Sequence, residues 1–180
     1  MKFQTLIGAI LLSLISLFLV ISLFLPSRLY VERSIVVEAP IDSIYIEFHD
    51  LKNWSHWSPF TEDDPNVELW YDSLSCGVGS SFKWKSIEHG SGMIKIITSI
   101  TNSLIIVEMF STDYKTVIGV IDFKVVENST HLTCVLTTEE LSYPFGRYQG
   151  IFIEQMLRLS VDKALENLKL KTENIILTDN

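Results

Sequence analysis

Histidine and cysteine are the residue types in this chain best suited to catalysis or metal binding. The four histidines are His49, His56, His89 and His131. None of them stands at zinc-site spacing from another histidine, a cysteine or a carboxylate cluster. Neither Cys76 nor Cys134 has an adjacent base, and two isolated cysteines form no disulfide framework. The sequence therefore predicts no metal, no cofactor and no catalytic residue, and it favours a binding protein without excluding an enzyme.

Two further groups of residues keep a binding role open. Trp54 and Trp57 stand beside polar residues, where they could contact a ligand or gate a cavity. Because such rings bury a large area, the alternative that they fasten short helices to a sheet is favoured. Arg147 follows a predicted helix start, where a cation does not suit the helix dipole. It is therefore expected to pair with Glu140 or with a ligand anion, and the structural pair is preferred.

A long amphipathic helix is predicted over residues 143–171, and it is the element that must organise the others. Pro144 suits a helix start, since its fixed φ and missing N–H cost nothing in the first turn. Beyond it, apolar residues recur at steps of three and four, namely Ile153, Leu157, Val161, Ala164 and Leu168. A lone helix that follows a run of strands is expected to bury this face against the sheet.

The residues before this helix carry a β pattern. Alternating apolar residues predict strands at 29–38, 67–71, 80–87, 92–100, 104–110, 117–126 and 131–138. After the first strand, Asp42 or Ser43 is expected to cap a short helix that ends near Leu51, and a second short turn follows. Tight turns are predicted at 88–90 and 113–115. The segregation of strands and helices predicts an α+β fold.

Residues 3–25 contain no charged side chain and are long and apolar enough to cross a bilayer as a helix. A cleaved signal peptide is the alternative, but the apolar run exceeds the usual ~7–15 residues and no small-x-small cleavage site follows. We therefore expect an uncleaved, single-pass membrane anchor at 1–26, a domain at 27–174 and a tail at 175–180. The bias of basic residues across this segment is weak. Because so little of the chain precedes the helix, a signal-anchor with the domain outside the cytoplasm is favoured.

The balance of charge excludes some partners. The chain has 22 acidic and 14 basic residues. Nucleic acid binding requires a basic face, so an acidic chain is not expected to bind nucleic acid. Attraction to anionic lipid by charge is excluded for the same reason.

The order of these elements resembles the helix-grip fold of the START-like superfamily, and in particular the bacterial SRPBCC proteins of the polyketide cyclase/dehydrase type that carry an N-terminal membrane anchor. The resemblance covers residues 26–171. The motifs behind it are Arg33-Ser34-Ile35, Ala39-Pro40, Asp50-Leu51-Lys52-Asn53-Trp54, Trp57-Ser58-Pro59-Phe60, Gly77-Val78-Gly79, Gly90-Ser91-Gly92 and Phe145-Gly146-Arg147-Tyr148.

The resemblance implies a curved antiparallel sheet wrapped around the C-terminal helix, with a cavity between them for a hydrophobic small molecule or lipid. The candidate ligand-binding residues are Trp54, Trp57, Phe82, Trp84, Ile96, Val107, Met109, Phe123, Cys134, Phe152 and Met156. For each of them taken singly, a place in a plain core is the favoured alternative, because core and cavity lining look alike in sequence. The leading hypothesis is a non-catalytic binding module. The alternatives are a cyclase- or dehydratase-like enzyme and a protein-interaction domain with a filled core.

Overall fold

Seven antiparallel strands form one curved sheet, and a long C-terminal helix packs against it. The computed structural model describes residues 2–59, 61, 64–87, 90–112 and 116–178. The helices are α1 (Lys2–Phe24), α2 (Ile41–His49) and α3 (Phe145–Thr178), and a 3-10 turn spans Asn53–His56. The strands are β1 (Tyr30–Val37), β2 (Glu68–Tyr71), β3 (Ser81–Lys85), β4 (Ser91–Ile100), β5 (Leu104–Ser111), β6 (Val117–Val126) and β7 (Ser129–Thr138). The predicted helix-grip α+β fold is thus confirmed.

The strands lie in the order β1-β7-β6-β5-β4-β3-β2. Strands β2 to β7 follow one another as neighbours, whereas β1 crosses over to pair with β7. The segment that makes this crossing contains α2, which packs on β6 and β7, and the 3-10 turn, which packs on α2. One register shift, between Ile96 and Thr98 in β4, interrupts the regular pairing with β5. A β-bulge of this kind bends its strand and increases the local twist.

The inner face of the sheet is apolar because alternate side chains of each strand point to it. In β6 and β7 the buried residues are Val117, Ile121, Phe123, Leu132, Cys134 and Leu136. α3 contributes Leu165 and Leu168 to the same core, and Leu157, Val161 and Ala164 pack against it. The predicted apolar face of the long helix is therefore the face that meets the sheet.

Polar contacts hold α3 along the edge strand β1. Arg33 forms an ion pair with Asp162 at 2.5 Å, and the ammonium of Lys169 donates a hydrogen bond to the carbonyl of Val36 at 3.1 Å. Near the end of the helix, Lys171 lies 2.6 Å from the carboxylate of Glu47 on α2. The C-terminal half of α3 is thus attached to both β1 and α2.

Two predicted element ends are wrong. Neither Asp42 nor Ser43 caps α2. The cap is Pro40, whose carbonyl accepts the first helical N–H bonds while Asp42 binds the side chain of Asn102 at 2.6 Å. α3 extends to Thr178 rather than ending at 171, so residues 175–178, assigned to the tail, are helical. The predicted turns at 88–89 and 113–115 and the last two residues lie outside the described residues.

Replacing Leu168 by Ala tests the docking of α3. The Leu168 side chain is 0% exposed, whereas Leu170, two residues later, is 56% exposed. We expect Leu168→Ala to lower the free energy of unfolding by about 2–5 kcal/mol, because it leaves a cavity in the core. Leu170→Ala should change it by less than about 0.5 kcal/mol. Urea unfolding of the full chain in detergent, followed by tryptophan fluorescence, measures both; equal effects would contradict the docking.

Candidate functional site

The space between the sheet and the helices is filled at one end by a cluster of aromatic rings. Trp54 and Trp57 lie 5.1 Å apart between ring centroids, and Trp57 lies 4.9 Å from Phe48 on α2. Phe48 in turn meets Phe123 of β6 at 5.6 Å. The indole N–H of Trp54 donates to the carbonyl of Phe48 at 3.1 Å. These contacts fasten α2 and the 3-10 turn to the sheet.

Trp84 completes the filled end by lying directly on the backbone of β4. A Cβ added at Gly92 would come within 2.3 Å of the Trp84 ring and 2.2 Å of the carbonyl oxygen of Phe110. Only glycine permits this approach. Phe82 lies beside the indole, with ring centroids 6.5 Å apart. No side chain larger than glycine fits under Trp84.

A small cavity of about 40 Å³ lies at the other end, between β5, β6 and β7 and the N-terminal half of α3. This volume is far below the roughly 300–1,000 Å³ of pockets that hold drug-sized ligands. The lining residues are Leu29, Met109, Ser111, Val117, Thr138, Leu141, Ile153 and Leu157. Of the two hydroxyl residues among them, Thr138 accepts the N–H of Leu29 through its Oγ1 at 3.1 Å. The cavity is therefore almost entirely apolar.

The candidate residues fall into three groups in the structure. Met109 lines the cavity. The second group is buried in the core: Trp54, Trp57, Phe82, Trp84, Ile96, Val107, Phe123 and Cys134. The third group, Phe152 and Met156, was predicted to face the sheet, and this placement is wrong, because their side chains are 77% and 43% exposed. Each stands one residue, about 100° around the helix axis, from a residue that lines the cavity.

Sequence reasoning missed part of the cavity lining. Ile153 and Leu157 had the required signal, because they belong to the helix face that was predicted to be buried. Leu29 stands at the start of the predicted strand 29–38, directly before β1, whereas Leu141 lies between β7 and α3 in a segment without a period. The place of Leu141 in the lining depends on the tertiary fold alone.

Arg147 was expected to pair with Glu140 or with a ligand anion. Its guanidinium instead donates to the carbonyls of Ser22 and Leu23, at 3.1 and 3.4 Å, and lies 5.5 Å from the centre of the Tyr143 ring. Those carbonyls belong to the last turn of α1, where helix geometry leaves backbone acceptors without intrahelical partners and the dipole favours a cation. Arg147 therefore joins the start of α3 to the end of α1.

A hydrogen-bonded triangle that the sequence did not reveal links α2 to β4. The Tyr45 hydroxyl lies 2.6 Å from Ser99 Oγ and 3.0 Å from His49 Nδ1, and His49 Nδ1 lies 3.1 Å from Ser99 Oγ. The three groups satisfy one another and do not line the cavity, so their role is structural. Among the described residues, no group of three or more His, Cys, Asp or Glu side chains could hold a metal ion.

The two cysteines are unpaired and differ in environment, since Cys76 is exposed and Cys134 is buried. Burial raises the pKa of the Cys134 thiol to about 12, because the apolar core disfavours the thiolate. The thiol is thus protonated at neutral pH and is no nucleophile. Its folded-state pKa lies above the unfolded value of 9.0, so its contribution to stability is present below pH 9 and is lost as the pH rises towards 12.

Comparison with known proteins identifies the fold and nothing finer. No family model matches the chain, and no curated protein matches it. Among solved structures, the KanY protein (ms6282) superposes with a TM-score of 0.62 at 12% identity, covering 82% of this chain and 99% of its own. The crystal structure of Ara h 8.0201 gives a TM-score of 0.56 at 8% identity, covering 82% of this chain and 99% of its own. DynU16, a putative protein in the dynemicin biosynthetic locus, gives 0.57 at 12% identity and covers 80% of this chain, which spans about half of DynU16 (47%).

The thiols should react at very different rates. At pH 8, a group with a pKa of about 12 is ionised to roughly one part in ten thousand, so a thiol reagent should modify Cys134 at least about 100-fold more slowly than Cys76. A chromogenic disulfide reagent added to the native full chain should therefore detect one fast thiol. The Cys76→Ser variant should show no fast thiol until denaturant is added. A fast reaction of that variant would place Cys134 outside the core.

Proposed function

We propose that this protein is a membrane-anchored helix-grip domain that binds a hydrophobic small molecule or lipid between the sheet and α3, without catalysis. The observation that carries the proposal is the apolar cavity under the N-terminal half of α3. It lies beside the end of α1, since Leu29 and Leu141 line it and the chain leaves α1 only at Phe24. A hydrophobic ligand would thus enter the domain close to a bilayer.

The properties of α1 support the anchor. Its apolar part, Phe3–Phe24, has 22 residues, which gives roughly 33 Å at about 1.5 Å per residue, enough for a hydrocarbon core of about 30 Å. Almost none of it is buried, so it differs from the core helix of a soluble protein. Its C-terminal turns are part of the domain, because Ser22 is fully buried and donates to the carbonyl of Pro144 at 3.2 Å. Cleavage of α1 as a signal peptide would remove these contacts from the domain, so they favour an uncleaved helix.

The packing of α3 supports a cavity that opens. Pockets that hold drug-sized ligands have volumes of about 300–1,000 Å³, so the cavity of about 40 Å³ would have to enlarge before it could hold one. The fully buried residues of α3, such as Leu165 and Leu168, stand in its C-terminal half. Ile153 and Leu157, in the other half, are only partly buried. The N-terminal half can therefore separate from β5 and β6 at a lower cost than the C-terminal half.

The chemistry of the lining supports binding rather than catalysis. A cyclase or dehydratase needs groups that move protons next to the substrate. The polar side chains among the described lining residues are the hydroxyls of Ser111 and Thr138, and hydroxyls do not titrate near neutral pH. These groups suit the orientation of a ligand with one polar end.

A protein-interaction domain with a filled core is the second candidate. It is favoured by the aromatic cluster around Phe48, Trp54 and Trp57, which already occupies the space that larger ligands would need. In that case the cavity of about 40 Å³ would be a packing defect.

Photolabelling distinguishes the two candidates. The full chain in lipid nanodiscs that contain a diazirine-bearing fatty acid should acquire adducts on Met109 and Val117, which lie on the sheet side of the cavity. Leu157→Trp should lower this labelling several-fold, because the indole fills the cavity. Leu159→Trp is the matched control, since Leu159 is exposed on the opposite side of α3. It should leave the labelling of both sheet residues unchanged.

The position of the adducts decides the outcome. Adducts confined to α1 and to the exposed side of α3 would contradict a ligand cavity and favour the filled core. Equal labelling of Met109 and Val117 in both Trp variants would show that filling the cavity does not block the label, which would contradict binding in the cavity.

A further inference from the structure

The N-terminal half of α3 carries a second apolar stripe that faces away from the sheet. Its members are spaced by three and four residues, which places them on one side of the helix, and most are strongly exposed: Phe145, Tyr148, Phe152, Met156 and Leu159. The same side of the helix continues with Lys163 and Glu166. The apolar stripe thus ends about halfway along α3 and occupies only the half that lies near α1.

The stripe begins in contact with α1. The ring of Phe18 stacks on Tyr148 with centroids 4.4 Å apart and an angle of 10° between the rings, and it lies 5.5 Å from Phe145. The Tyr148 hydroxyl donates to the carbonyl of Phe18 at 2.7 Å, and that of Tyr143 to the carbonyl of Leu19 at 2.9 Å. The exposed apolar surface of α1 therefore continues onto α3 through the ring of Phe18.

The depth of this contact follows from helix geometry. Phe18 stands six residues before Phe24, the last residue of α1, which is about 9 Å along a helix axis. Amphipathic helices that lie in a membrane interface bury their apolar side about 5–10 Å below the headgroups. Where α1 spans a bilayer with Phe24 at the level of the headgroups, the start of α3 is held at that depth.

We propose that the stripe Phe145–Leu159 of α3 lies in the interface of the bilayer that α1 crosses, with its apolar side chains among the acyl chains. This inference rests on the proposed membrane anchor. The stripe consists of large side chains that are mostly exposed, and burial of such an apolar side among acyl chains is what holds an amphipathic helix in a membrane interface. The net charge of −8 gives no attraction to anionic lipid, so apolar burial must supply the binding.

Lipid is favoured over a second protein because of continuity. A protein partner on the stripe would meet the exposed side of α1 at Phe18, because the two surfaces are joined there. A bilayer covers both without a second binding surface. The arrangement also deepens the proposed function: Phe152 and Met156 adjoin Ile153 and Leu157 in sequence, so lipid would lie on one side of α3 and the cavity on the other.

Spin labels on the full chain test the inference. A Cys76→Ser background leaves only the buried Cys134, and single labels are added through Phe152→Cys, Leu12→Cys and Glu166→Cys. Glu166 is the matched control, because it is exposed on the same side of α3 beyond the stripe. The chain is reconstituted into phosphatidylcholine vesicles, and collision of each label with oxygen and with a water-soluble nickel chelate is measured. We expect the ratio of oxygen to nickel collision at Phe152→Cys to exceed that at Glu166→Cys several-fold and to approach that at Leu12→Cys.

Each outcome separates the anchor from the stripe. A lipid-like ratio at Leu12→Cys with a water-like ratio at Phe152→Cys would overturn the inference and leave the anchor standing. A water-like ratio at Leu12→Cys would overturn the anchor and the inference together. A label at Phe152→Cys that is shielded from both reagents would mean that protein covers the stripe, which also overturns the inference.

Discussion

The burial of one side of α3 against the sheet is the interaction on which the rest of the structure depends. Leu165 and Leu168 complete the core that β6 and β7 begin. The same helix protects the free edge of β1, since Arg158 donates to the carbonyl of Tyr30 at 3.3 Å and Lys169 to that of Val36 at 3.1 Å. Unpaired edge carbonyls are sites for association with other strands. Removing α3 would expose both the inner face and this edge.

Packing of α3 against the rest of the domain differs between its two halves. At the C-terminal half, the aromatic cluster around Phe48 and the ion pair of Lys171 with Glu47 leave little freedom. At the N-terminal half, Ile153 and Leu157 meet a sheet that they do not fill, which leaves the cavity of about 40 Å³. Regions with fewer buried contacts open at a lower free energy than the rest of a domain. The N-terminal half of α3 is therefore expected to separate from the sheet more readily than the C-terminal half.

The sequence predicted the elements well because their signals are local. Alternation in β4 to β7 and the step of three and four in α3 each appear within a single segment. The sequence placed Phe152 and Met156 on the wrong side of α3. Both apolar sides of this helix have helical spacing, so spacing alone does not show which side these two residues belong to. The sequence did not predict the partner of Arg147 either, which is a backbone carbonyl 125 residues away and leaves no trace in side-chain chemistry. Contacts between distant backbone groups are visible only in the fold.

The join between α1 and the domain limits how the domain can be oriented. Only five residues separate α1 from β1, and Ser27 among them accepts the N–H of Leu141 at 2.7 Å. A linker of this length that is also hydrogen-bonded to the domain cannot act as a flexible tether. Because Arg147 and Tyr148 also hold the start of α3 on the last turns of α1, an α1 that crosses a bilayer fixes the domain against it. The same contacts that orient the domain then place its most loosely packed end, with the cavity, next to the lipid.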